Sequence, residues 1–427
     1  MAHIGRRGFV AAVGALAALA AAGDAAARPG GPGHGRGDGQ GHGHRRRRGR
    51  GAGREFRGMW LATVTGRDYP SAPGLPAARQ RAELLAHLDT AAERRLNAVV
   101  LQVRPCADAL WPSPYEPWSR FLTGTQGRDP GWDPLGTAVA EAHARGLELH
   151  AWFNPYRVAV HTDLSRLAPG HPARLNPQWV VPYGGKLYYN PGLPEVREFV
   201  QLAMMDAVHR YEVDAVHFDD YFYPYPVAGQ RFDDDEAWAL HGRGHPDRAH
   251  WRRANTDLLV RGMAERLRAV RGGVRFGISP FGVWRNASTD PLGSRTAAGV
   301  QTYDDLYADT RAWVRNGWID YVVPQLYWHR GFAPADYEVL VPWWAETVSG
   351  TGVDLYIGEA LYKAGAAGQP AAWQDPAELS RHLDFAARHP EVGGHCFFSA
   401  REVGEDPIGA MSRVVADHYS ARARGGR

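Results

Sequence analysis

From residue 55 onward the chain alternates between two hydrophobic periods. Short runs of branched and aromatic residues with period-two alternation are separated by longer stretches with apolar positions three and four apart. The first kind predicts strands at 56–63, 98–104, 147–154, 215–219, 275–280, 321–327, 354–358 and 394–399. The second predicts helices at 75–95, 135–145, 195–211, 251–270, 303–316 and 376–389, with a weaker one at 337–350. Eight strand–helix units in about 350 residues predict an α/β fold, a (β/α)8 TIM barrel. A doubly wound open sheet is the rival, but no G-x-G-x-x-G follows the first strand. Long Trp-, Tyr- and Pro-rich segments at 109–133, 158–194 and 221–250 predict enlarged loops after strands 2, 3 and 4.

Polar residues interrupt the pattern where the strands stop. V-D-A-V-H-F-D-D-Y-F-Y-P-Y-P at 213–226 runs from a strand into two carboxylates and an aromatic run. Period-two alternation puts His150, Trp152 and Asn154 on one inward face, and His217, Asp219 and Tyr221 on another. Gln102 pairs with Arg104, and Val323 with Gln325 and Tyr327. The same alternation turns Asp220 the other way or into the loop. A barrel centre ordinarily takes branched apolar residues. Polar groups converging at strand ends instead require a hydrogen-bond network or a substrate. Trp60, Trp111, Trp152, Trp284, Tyr327 and Trp328 accompany them, and flat rings beside acids, amides and Arg suit a sugar.

Glycoside hydrolysis needs a proton donor and a second carboxylate acting as nucleophile or base. Asp219 is the leading catalytic candidate, with Glu359, Asp220 or Asp68 as its partner. Candidate substrate-binding residues are Trp60, Asp68, Arg104, Trp152, Asn154, Arg157, His217, Tyr221, Trp284, Asn286, Gln325, Tyr327 and Trp328. No cofactor is expected. No H-E-x-x-H metal motif and no G-x-S-x-G nucleophile elbow is present.

Composition adds compartment and charge. Arg6-Arg7 precede an apolar run to Ala22, and Ala25-Ala26-Ala27 offers a cleavage site, so 1–27 reads as an export signal of twin-arginine type. Residues 28–54 are rich in Gly, His and Arg and read as a disordered linker. The barrel domain is expected over 55–415 and a basic tail over 416–427. Segment 28–54 holds eight Arg against one Asp, and 1–27 two Arg against one Asp. With a chain total of +3, the remaining body is net −5. The basic character thus belongs to the N-terminal segment, where it suits contact with an anionic envelope, and a nucleic-acid partner is not expected. Cys106 and Cys396 make no disulfide framework, and their pairing depends on geometry.

Six blocks in order carry a resemblance. They are E-F-R-G-M-W-L-A-T-V at 55–64 followed by Asp68-Tyr69-Pro70-Ser71, Q-V-R-P at 102–105, and A-W-F-N-P-Y-R at 151–157. V-H-F-D-D-Y-F-Y-P at 216–224, G-I-S-P-F-G-V-W-R-N at 277–286 and D-Y-V-V-P-Q-L-Y-W at 320–328 complete the set. Over roughly 55–400 the chain resembles the bacterial glycosyl-hydrolase-like 10 family. The resemblance implies a TIM-barrel glycosidase of the cell envelope. The implied substrate is peptidoglycan glycan, notably strands without stem peptides, in cell division. It carries Asp68, Arg104, Asn154, Arg157, Asp219, Asp220, Asn286, Gln325 and Tyr327 as motif residues. The rival readings are a non-catalytic glycan-binding barrel and a glycosidase of an exogenous polysaccharide. A second carboxylate facing Asp219 discriminates hydrolase from binder.

Overall fold

The computed structural model describes residues 55–270 and 273–422, so the expected export signal and linker lie outside the described residues. Eight parallel strands close into a barrel. They are β1 (Phe56–Leu61), β2 (Ala98–Arg104), β3 (Glu148–Phe153), β4 (Ala215–Phe218), β5 (Arg275–Ile278), β6 (Tyr321–Val322), β7 (Asp354–Glu359) and β8 (Val392–Phe398). Each pairs with its neighbours in sequence, and β1 closes on β8. The strands expected from the apolar pattern are these eight. β6 is shorter than its pattern because Pro324 has no N–H for the ladder; beyond it, Gln325 makes only isolated bridges to Phe281 and Gly358.

Eight main helices surround the barrel. They are α1 (Ala77–Glu93), α2 (Pro134–Ala144), α3 (Pro194–Arg210), α4 (Arg248–Val270), α5 (Thr310–Arg315), α6 (Tyr337–Val348), α7 (Glu378–Ala386) and α8 (Ala410–His418). Local chemistry starts several of them. Asp133 caps α2 by accepting from Gly136 N, with Pro134 in the first turn, and Asp336 caps α6. The single helix expected at 303–316 is instead two pieces, Thr302–Asp305 and α5. Tyr307 adopts a left-handed conformation, and Asp309 accepts from Ala312 N to begin a new helix. The tail expected from 416 also shifts: α8 runs to His418, and Tyr419 is buried with the Arg57 guanidinium 4.1 Å from its ring centroid. Among the described residues no helix is long and apolar enough to cross a membrane.

Inward positions at the lower barrel are filled by Phe56, Val100, Ala215, Tyr321 and Tyr356, with Phe56 stacked on Tyr356 at 4.2 Å. Gly277 stands opposite Tyr321 in the β5–β6 register, and a Cβ there would lie 2.0 Å from the Tyr321 ring. The glycine makes room for that ring. Outward strand faces pack on the helices in one continuous apolar cluster. This filled base leaves the functional chemistry to the carboxyl ends of the strands. The loop after β3 adds a small antiparallel sheet of Arg157–Ala159, Val180–Tyr183 and Lys186–Tyr189 beside that end.

Candidate active site

β4 stops at Phe218, and the backbone turns at once. Asp219 follows the inward face of β4, as the alternation predicts. It is 4% exposed, and donors surround its carboxylate. Trp152 Nε1 donates to Oδ2 at 3.0 Å, Asn154 Nδ2 to both oxygens at 2.9 and 3.1 Å, and Tyr221 N to Oδ1 at 3.1 Å. Trp152 and Asn154 come from the end of β3, so neighbouring strands hold one acid.

Of the two expectations for Asp220, away from the cavity or into the loop, the structure has the second. Past the end of the strand the period-two rule no longer applies, and Asp220 reaches inward groups as well. Its Oδ2 accepts from the Tyr225 hydroxyl, and Gln325 also donates to its carboxylate. Both acids therefore stand at the carboxyl mouth of the barrel. Burial, then the charge of Asp220, push the Asp219 carboxyl up to about 7. Burial raises Asp220 too, against the hydrogen bond from Tyr225. Adjacent buried carboxylates resist ionising together. The donor groups on Asp219 oppose that rise by favouring its ionised form.

Arg157 lies behind the pair. Its N accepts nothing but donates to Asn154 Oδ1 at 2.8 Å, and its Nε donates to Pro105 O at 3.0 Å. Its guanidinium sits 5.3 Å from the Tyr221 ring centroid. Aromatic rings continue on both sides of the acids. One arc runs from Tyr221 to Tyr225 (5.3 Å), Phe281 (6.1 Å) and Trp328 (5.3 Å). The other joins Trp60, Phe398, Tyr327 and Tyr362 at 5.9–6.1 Å. Apart from Trp60, which is buried, these rings are half-buried and present flat faces to the C–H surfaces of a sugar.

The mouth thus gathers Trp60, Trp152, Asn154, Arg157, Asp219, Asp220, Tyr221, Gln325, Tyr327 and Trp328. Six other candidates have different roles. Glu359 ends β7 on its outer face, not toward the mouth. It accepts from the Tyr337 hydroxyl at 2.8 Å, and its oxygens meet His382 Nδ1 at 2.9 Å and His395 Nδ1 at 3.0 Å. Burial opposes its ionisation, but His382 and His395 outweigh burial and hold it down to about 2. It is a structural anion beneath α6 and α7, not the catalytic partner of Asp219.

Asp68 accepts from Ala62 N at 2.8 Å and the Ser399 hydroxyl at 2.6 Å, closing the loop after β1 on β8. All of Arg104's nitrogens are engaged: Nε and Nη2 grip Glu116 at 2.6 and 2.5 Å, and Nη1 donates to Asn154 O and Pro155 O. It positions the Asn154–Arg157 segment, and with four of its five N–H groups engaged and its side chain fully buried it does not face a sugar. Asn286 is consumed by Thr296 and Ala298, and Trp284 donates to Asp309 Oδ1 at 3.0 Å and stacks on Trp343. Trp111 likewise donates to Asp206 Oδ2 at 2.8 Å.

His217 lies in the floor rather than at the substrate face. The Trp60 indole N–H donates to its Nε2 at 3.2 Å, which Ser279 Oγ also meets at 2.9 Å. That leaves the proton on Nδ1, which donates to Tyr321 Oη at 3.1 Å. Tyr321 in turn donates to His150 Nδ1 at 2.9 Å, and His150 Nε2 donates to Glu148 at 3.0 Å. Burial, and His150 beside it, hold His217 well below the ordinary imidazole range, so it is neutral. The chain fixes the Trp60 ring that floors the mouth.

Tyr225, Phe281, Tyr362 and Phe398 complete the site without having been singled out in the sequence. Tyr225 and Phe281 lie in or beside the motif blocks, whereas Tyr362 and Phe398 carry no local signal. Cys106 and Cys396 are separate buried thiols. Among the described residues no group of three or more His, Cys, Asp or Glu is placed to hold a metal.

Residues 55–375 match the family described as glycosyl hydrolase-like 10. The chain belongs to that family. It is 47% identical over 372 residues to glycosyl hydrolase YngK of Bacillus subtilis, covering 87% of this chain and 73% of that protein. It is 41% identical over 362 residues to glycosyl hydrolase DigH of Escherichia coli, covering 80% and 82%. The barrel is similar to the glycoside hydrolase domain of PgaB (BpsB) from Bordetella bronchiseptica, with TM-score 0.53 and 12% identity. That match covers 84% of this chain and 98% of the other, and at that identity it speaks for the fold alone. This member of the family is an enzyme of the glycoside hydrolase class.

Proposed function

We propose that the enzyme hydrolyses glycosidic bonds of a bacterial wall glycan, with peptide-free peptidoglycan strands as substrate, outside the cytoplasm. The observation that carries this reading is the pair of adjacent buried carboxylates, Asp219 and Asp220, set between two arcs of aromatic rings. Asp220 delivers the proton to the leaving oxygen. Asp219, whose ionised form Trp152 and Asn154 favour, stabilises the positive charge that develops on the sugar; water then attacks the anomeric carbon and gives its proton to the Asp220 carboxylate, which restores the acid. Asn154 and Gln325 hold the two acids in place. The twin-arginine-like start of the chain supports action on the envelope side, and the family resemblance supports a wall polymer.

The test is digestion of purified peptide-free glycan strands beside chitin oligosaccharides and an α-glucan, with wild type and Asp219→Asn. The wild type is expected to release oligosaccharides from the wall strands alone, and the variant to lose at least about 100-fold in kcat. Equal turnover by both proteins removes Asp219 from catalysis. Preference for chitin or the α-glucan removes the wall substrate.

A further inference from the structure

Of the 49 basic residues in the chain only two, Lys186 and Lys363, are lysines. Lys363 donates to Tyr327 O at 2.6 Å and packs between the Tyr362 and Trp373 rings. Lys186 is different. It lies in the third strand of the small sheet beside the mouth, two residues before Tyr188, and so on the same face. Tyr188 is the cross-strand partner of Arg157, which places Arg157 on that face too. Lys186 is half-buried, yet its ammonium makes no ion pair or hydrogen bond among the described residues.

The neighbouring acids are already taken. The acidic run Asp233–Asp235, on the loop that packs on the 184–185 turn, is bound by Arg231, Arg248 and Arg252. Asp219 lies close enough to Arg157 to act on its charge. Burial and the charge of Arg157 both disfavour the protonated Lys186. A half-buried ammonium beside a guanidinium, with no anion of the protein facing it, costs free energy in the unbound enzyme. An anion on the ligand would offset that cost.

We propose that Lys186, backed by Arg157, forms a subsite for a carboxylate borne by a sugar of the bound glycan. The subsite rests on the reading that the mouth takes a glycan, and it narrows that glycan to an acidic one. The carboxylate accepts from the Lys186 ammonium and from a free guanidinium nitrogen of Arg157, whose Nε stays on Pro105. The rest of the sugar then lies along Tyr221, whose ring Arg157 faces. A neutral polysaccharide has no group to meet the two cations.

Binding is measured by calorimetry in an Asp219→Asn background, so that no strand is consumed. The probes are peptide-free peptidoglycan strands, with their lactyl carboxylates free or masked as methylamides. Lys186→Gln is expected to weaken binding of the free-acid strand about tenfold and the amidated strand far less. Lys186→Arg, which keeps the charge, should recover much of the loss. Equal losses on both strands overturn the subsite, as does no measurable binding of the free-acid strand. The hydrolytic reading is scored separately with wild type. An intact binding cycle without cleavage sinks hydrolysis alone, and cleavage with equal losses sinks the subsite alone.

Discussion

At the scale of the residue, the functional unit is two adjacent aspartates that cannot both ionise easily. Asp220 must carry its proton for the acid step, and burial raises its carboxyl, so kcat/KM should fall as rising pH ionises it. A pH profile on a soluble oligosaccharide checks this, and a flat profile from pH 6 to about 8.5 contradicts it. Tyr225 supplies the sign of a second test. Its hydroxyl donates to Asp220 and so favours the ionised form. Tyr225→Phe should therefore move the alkaline limb to higher pH, while kcat falls less than about tenfold. An unmoved limb would separate Tyr225 from the acid pair. The sequence marked Asp219 because its place on the strand face is a local matter. It left the direction of Asp220 open because the turn after Phe218 depends on partners at positions 225 and 325, which no local pattern contains.

At the scale of the element, polar residues at strand ends divide into those facing the mouth and those facing the helices. Glu359 belongs to the second group, and its effect is on stability. Its carboxyl is held down to about 2, so its contribution is present above the ordinary value of 4.5 and is lost as pH falls through about 2. His382 is raised above 6.5, since Glu359 and Glu378 outweigh burial. Its contribution is complete below 6.5 and is lost as pH rises through the raised value. Glu359→Gln should therefore destabilise most between pH 4.5 and 6.5, by about 3 kcal/mol, because it leaves a buried imidazolium with less counter-charge. Urea melts at pH 5.5 and 8.5 check the size and the pH trend. Loss of turnover in a fully folded variant would instead return Glu359 to the catalytic machinery. Strand existence was legible because eight apolar runs with period two leave few alternatives. The face shown by a strand's last residue was not, since Gly358 and Glu359 differ by one position and a single step exchanges core for cleft.

At the scale of the molecule, charge is segregated. The body from 55 onward is net −5, and the basic residues in excess lie in 28–54. We expect a protein lacking residues 1–54 to keep its melting temperature and its turnover of soluble oligosaccharides. Its sedimentation with insoluble, anionic wall material should fall, and the wild type's should weaken as salt is raised to 0.5 M, where screening is strong. Pelleting assays at two salt concentrations measure this. Equal pelleting of both forms assigns the basic segment no part in wall contact.

The chain by itself determined the barrel, the family blocks and the leading acid. These depend on hydrophobic period, strand order and residues contiguous in sequence. Only the closed barrel decided which polar groups meet. Arg104 is spent on Glu116, His217 on Trp60 and Tyr321, and Glu359 on His382, because each hydrogen-bonding group is bound by what lies within about 3 Å of it in space. A residue type announces what a side chain can do, whereas the packing of distant strands and helices fixes which of its bonds remain free for a substrate.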